Sequence, residues 1–179
     1  MDADAVLHFW FDEIRPEQWW ESDADFDARI RERFLSTLES AARGELHPWR
    51  DDAAGRLAEV IVLDQFSRNI QRRTPRSFAQ DPMALALAQE AVSRGAHEQL
   101  EPERRTFLLM PYMHSESTII HVEAERLFRE WTPQTNHDFE LRHKLIIDRF
   151  GRYPHRNVIL GRASTPEELE FLVQPGSGF

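Results

Sequence analysis

SDADFDARIRERFLSTLESAARG (Ser22–Gly44) decides the fold class. Phe26, Ile30, Phe34 and Leu38 recur every four residues, which places them on one face of a helix. Ser22 and Asp23 precede that stripe as cap candidates and Gly44 closes it. The same grammar extends along the chain. Asp52 can cap a helix reaching to about Ile70, and Asp81-Pro82 and Glu101-Pro102 put proline at a first helical position, where its missing N–H costs nothing. Asp138 opens a helix to about Phe150 that Gly151 can end. Thr165-Pro166-Glu167-Glu168 adds a capping box. Alternating strand patterns bounded by hairpin turns are missing. The reading is all-α: seven or eight helices, with connections short enough to make neighbours pack antiparallel.

No linker, composition shift or low-complexity segment divides the 179 residues, so one helical domain over 1–179 is expected. The chain is 41% hydrophobic and 30% charged, the balance of a soluble globular protein. The absence of cysteine excludes disulfides, thiolate catalysis and cysteine-based metal sites. The acidic start lacks a signal-peptide pattern and no apolar run is long enough for a membrane span, so a cytoplasmic protein without a membrane partner is expected. A formal net charge of −9 argues against nucleic acid as a partner.

Against that acidity, two stretches carry arginines and no acids. Gln65–Gln80 contains Arg68, Arg72, Arg73 and Arg76, and Arg149–Thr165 contains Arg149, Arg152, Arg156 and Arg162. Charge sorted in this way predicts a positive site and hence an anionic ligand. Each stretch includes a similar phrase, Phe66-Ser67-Arg68-Asn69 and Tyr153-Pro154-His155-Arg156-Asn157.

Helical phase adds a second signal. With Leu57 at zero and about 100° per residue, Asp64 and Arg68 share the apolar stripe of Leu57, Val60 and Ile61, four residues apart and able to pair. A buried ion pair is seldom a net gain over apolar residues, so its presence calls for another role, either tying helices together or serving a ligand. Gln65 and Asn69 lie on an adjacent face. On the later helix Phe139, Ile146 and Phe150 form the expected core stripe, with His143 among them. Glu140 and His143 have the Glu-x-x-His spacing of carboxylate di-iron bundles, but the required second copy is missing. His114 and His121 are separated by about 10.5 Å of helix, too far to share one ion. His121 and Glu125 lack a third ligand. Neither metal nor cofactor is expected. His114-Ser115-Glu116, beside a helix break expected at Pro111, is better placed to hydrogen-bond something outside its helix. The tryptophans at 10, 19, 20 and 49 read as core or interface aromatics, and Pro175–Phe179 as a turn-rich tail.

Several of these phrases resemble one family. Val-Leu-His-Phe-Trp-Phe (6–11), Leu-Asp-Gln-Phe-Ser-Arg-Asn (63–69), His-Ser-Glu (114–116) and Phe-Gly-Arg-Tyr-Pro-His-Arg-Asn (150–157), followed by Leu160–Glu168, are similar to the bacterial domain-of-unknown-function family 924. The resemblance spans nearly the whole chain and implies a tetratricopeptide-like α-α superhelix, with no activity attached. Ser67 stands where the family pattern has Pro, Tyr153 where it has Phe, and Gly178 where it has Ser.

Three roles are open for the two phrases. In the favoured one, Arg68 and Arg156 grip a small carboxylate or phosphate, Asn69 and Asn157 orient it, and Asp64 holds Arg68. Gln65, Glu116 and Arg152 extend that ligand-binding set. His155 or His114, with Asp64, would handle any proton transfer, since an imidazole titrates near neutrality. The second role is a groove that captures a peptide's C-terminal carboxylate. The third is structural, capping helices and locking the fold. No reaction class or oligomeric state follows from the sequence.

Overall fold

The computed structural model describes residues 2–178. Eight helices and no strand are found among them. They are α1 (Ala3–His8, continued by a π-helical turn Phe9–Glu13), α2 (Ala24–Ala42), α3 (Ala53–Ile61, continued by a π-helical turn Val62–Phe66 and an α-turn Ser67–Ile70), α4 (Asp81–Ser93), α5 (Pro102–Met113), α6 (Thr118–Trp131), α7 (Gln134–Phe150) and α8 (Pro166–Leu172). The all-α reading therefore holds.

Local chemistry sets most boundaries. The Asp23 carboxylate accepts from the N–H groups of Asp25 (2.8 Å) and Phe26 (3.2 Å), and Phe26, Ile30, Phe34 and Leu38 are all buried. Asp52 accepts from Gly55 N–H at 2.7 Å. Thr165 and Glu168 form the reciprocal capping box, with N···O distances of 2.7 and 3.2 Å. Gly151 follows α7 at φ +67°, a left-handed stop that suits a residue without Cβ.

The architecture is built around α3. Helices α1, α2, α4 and α5 all pack on it, and every residue from Leu57 to Ser67 is buried. Successive neighbours then continue the layer, α5 on α6 and α6 on α7. Phe9, Trp10, Phe34 and Phe66 interlock between α1, α2 and α3, with ring centroids 4.7–6.1 Å apart.

Three expectations need correction. Helix α3 has no single apolar stripe, because it is enclosed on all sides; Asp64 is buried by its place at the centre, whatever its phase. The π-turn at Val62–Phe66 interrupts the regular 100° step there. Helix α7 starts at Gln134, four residues before Asp138, and turns Glu140, His143, Ile146 and Ile147 inward; Phe139 is 48% exposed. Pro111 lies inside α5, which runs to Met113 and stops at His114. Of the tryptophans, Trp10 is buried but Trp20 is 60% exposed. In the tail, Phe179 lies outside the described residues. No helix among the described residues is long and apolar enough to cross a membrane.

Candidate functional site

The π-turn of α3 carries Asp64 into the interior, where three side chains meet its carboxylate. Arg68 Nη1 lies 2.9 Å from Oδ1, and it also donates to the Asp64 carbonyl at 2.8 Å. Gln65 Nε2 donates to Oδ2 at 2.6 Å, and His114 Nδ1 stands 2.7 Å from Oδ1. Burial opposes ionisation of Asp64, but Arg68 and His114 outweigh it and hold the carboxyl well below its ordinary range. Burial, aided by Arg68, lowers His114 against the opposing pull of Asp64. A neutral His114 beside an ionised Asp64 donates through Nδ1–H, leaving the Nε2 lone pair as a base.

Arg68 also forks onto Asp81 at the start of α4, with Nη1–Oδ1 at 2.9 Å and Nη2–Oδ2 at 3.0 Å. Arg156, from the 3-10 turn Pro154–Arg156, reaches the same carboxylate through one longer contact of 3.3 Å. Its Nη2 donates to the His114 carbonyl at 3.1 Å. The guanidinium is sandwiched between Phe78 (4.6 Å) and Tyr153 (4.5 Å), a favourable cation–π position on both faces. Arg156 is 6% exposed, and its buried Nε–H has no acceptor among the described residues. Burial, and then Arg68, pull its affinity for its proton below the ordinary value. The two arginines thus converge, although 88 positions separate them; the place between them holds an internal carboxylate.

A second buried group adjoins the first. His121 Nδ1 lies 2.7 Å from Glu140 Oε1, both fully buried, and its Nε2 is 2.9 Å from the Ser115 carbonyl. Burial raises Glu140 above its ordinary value, against the opposing pull of its contact with His121. Tyr153 OH donates to the Met113 carbonyl at 2.6 Å. Arg162 forks onto Glu116 at 2.7 and 2.9 Å, and Glu116 also accepts from Tyr153 N–H at 2.7 Å. His155 packs on the Tyr153 ring at 5.5 Å, and burial takes it down to about 4.

Of the ten residues expected at one site, Asp64, Gln65, Arg68, His114 and Arg156 form the central cluster, with Glu116 and His155 beside it. The other three face elsewhere. Asn69 donates to Asp27 at 2.8 Å, Arg152 forks onto Glu168 at 2.6 and 2.8 Å, and Asn157 donates to Ser164 at 3.0 Å. Sequence reasoning missed Asp81, which follows the first acid-free stretch and reads there only as a helix start; it noted Glu140 for its spacing to His143 and Arg162 among the arginines, but placed neither at the site. It also overstated the free positive charge. Arg68, Arg72, Arg149, Arg152, Arg156 and Arg162 each meet an acid in space. Among the described residues only Arg73 and Arg76 of the eight have none.

Fold and site together define an all-helical protein with an interior cluster of arginine, histidine and carboxylate side chains. The chain belongs to the family of bacterial proteins of unknown function DUF924, whose model matches residues 6–176. It is similar to a solved structure of a protein of unknown function, ATU0120 from Agrobacterium tumefaciens, at 37% identity over 96% of each chain with a TM-score of 0.89. No match is found among curated proteins.

Proposed function

We propose that this protein binds a small carboxylate- or phosphate-bearing metabolite on the Nε/Nη2 edge of Arg156. The orphaned Nε–H of that arginine supports the reading, because a buried donor without an acceptor calls for an explanation. Elsewhere in this chain the same edge is filled: Arg50 forks onto Glu59, Arg72 onto Asp27 and Arg152 onto Glu168. On Arg156 it meets only one carbonyl. The 3.3 Å contact with Asp81 is made by Nη1 and leaves the Nε/Nη2 edge to an incoming anion, while Arg68 keeps Asp81 in place. Arg68, Asp81 and His114 retain 13–19% side-chain exposure, which gives the cluster an outlet to solvent. His114, oriented by Asp64, is the group that would exchange a proton with the bound anion.

Calorimetric titration of the full chain with acetate, succinate, phosphate and a short peptide carboxylate tests this against Arg156→Lys. Lysine keeps the charge but loses the planar fork. The expected result is binding of at least one small anion, weakened roughly tenfold or more by the substitution, equivalent to about 1.4 kcal/mol. An Arg156→Lys protein that melts earlier yet titrates like wild type would make Arg156 a structural staple between its two rings. Binding of the peptide alone would point to a docking groove.

A further inference from the structure

We propose that a separate cleft, at the junction of α2 with the end of α3, binds a phosphate monoester. This site is independent of the Arg156 cluster. The cleft is open to solvent and offers about 390 Å³, a volume within the range of small-molecule sites. Its cations are Arg31, Arg72 and Arg73, and its one acid is Asp27. Asp27 is taken up by the fork from Arg72 and by Asn69 Nδ2. Arg31 donates to the Ile70 carbonyl and pairs with no acid, and Arg73 has neither an acid nor any hydrogen-bond partner among the described residues. Two exposed guanidinium groups without an acid partner among the described residues therefore line one open cleft in a chain whose formal net charge is −9. Asp23, at the start of α2, is occupied by backbone N–H groups and does not line the cleft.

The backbone at Arg73 is a second, independent observation. Its φ is +63°, and it is the one non-glycine among the described residues in the left-handed region. A glycine would adopt that conformation without strain, so the arginine side chain sits there at a local backbone cost. Two unmatched cations suit a dianionic phosphate better than a monocarboxylate, and guanidinium forks match phosphate geometry. Ala24, Ala28 and Ile70 add apolar lining for a small organic group on the ester.

Phenyl phosphate, inorganic phosphate and benzoate, titrated calorimetrically into the full chain at low salt, are the probes. Phenyl phosphate is expected to bind more tightly than benzoate. Arg73→Gly removes the charge and the backbone strain together, so it should weaken phenyl phosphate at least tenfold while the melting temperature holds or rises. Running the same titrations in an Arg156→Lys background removes the contribution of the buried cluster, so that what binds there reports the cleft alone. The proposal is overturned if the Arg156→Lys protein does not bind phenyl phosphate, if it binds benzoate as well, or if adding Arg73→Gly to it leaves phenyl phosphate binding unchanged.

Discussion

Asp81 shows how one side chain can serve fold and function in opposite directions. It neutralises Arg68 and Arg156 together, and its charge on the Nη1 side competes electrostatically with any anion arriving at the other edge of Arg156. Removing one member of a largely buried ion pair leaves the other charge without compensation, at a cost of roughly 3–5 kcal/mol when burial is complete. Because Asp81 keeps 17% side-chain exposure, Asp81→Asn should cost less, about 2 kcal/mol. The same change should tighten anion binding at Arg156 by removing an internal competitor. Chemical denaturation and anion titration of one variant read both effects, and a parallel loss of stability and binding would contradict the competitor role. At Arg73 stability moves the other way. Glycine at φ +63° relieves strain of order 1 kcal/mol, visible as a later denaturation midpoint.

At the scale of elements, α3 is where sequence reading succeeded and then ran out. Its cap at Asp52, its helical nature and the pairing of Asp64 with Arg68 follow from residue type and spacing, and all are present. The π-turn does not follow, since nothing in Val62–Phe66 forbids an ordinary α-turn. Phe139 and Glu140 illustrate the same limit on α7. A rule that sends aromatics inward and carboxylates outward reverses both, because His121 offers Glu140 a buried partner. Asp81 was hidden by its position, since an acid before proline reads as a helix start. Convergence of Arg68 and Arg156 on Asp81 depends on tertiary packing, which no local pattern encodes. Helix α3 also imposes a steric demand. A Cβ on Gly55 would lie 1.8 Å from the Trp49 carbonyl oxygen, where the 3-10 turn His47–Asp51 crosses the helix. Gly→Ala normally favours a helix by about 1 kcal/mol. Here the backbone collision should reverse the sign, and Gly55→Ala should lose about 3 kcal/mol in urea denaturation. A neutral or stabilising result would mean that the turn swings aside.

For the whole molecule, pairing in space cancels most of the charge segregation seen along the chain, and what remains sensitive to pH is a set of buried histidines. Burial takes His143 down to about 3 and His155 to about 4, and it also lowers His97 and His114. Unfolded histidine binds its proton near pH 6.5, so between that value and about 4 the unfolded chain holds more protons than the fold. Stability is therefore full above about pH 7 and falls as the solution is acidified through this window. His143 and His155 alone supply up to about 2.8 kcal/mol per pH unit. Glu140 acts in the opposite sense just above its ordinary range, because the fold holds its proton more firmly, and it offsets up to half of that slope. Asp64, held low by Arg68 and His114 despite its burial, adds its own loss only at still lower pH. Urea midpoints at pH 7.5, 6 and 5 should decline steadily, with His143→Gln flattening the decline by about one proton. A flat stability between pH 7 and 5 in wild type would show that the interior histidines accept protons as readily folded as unfolded.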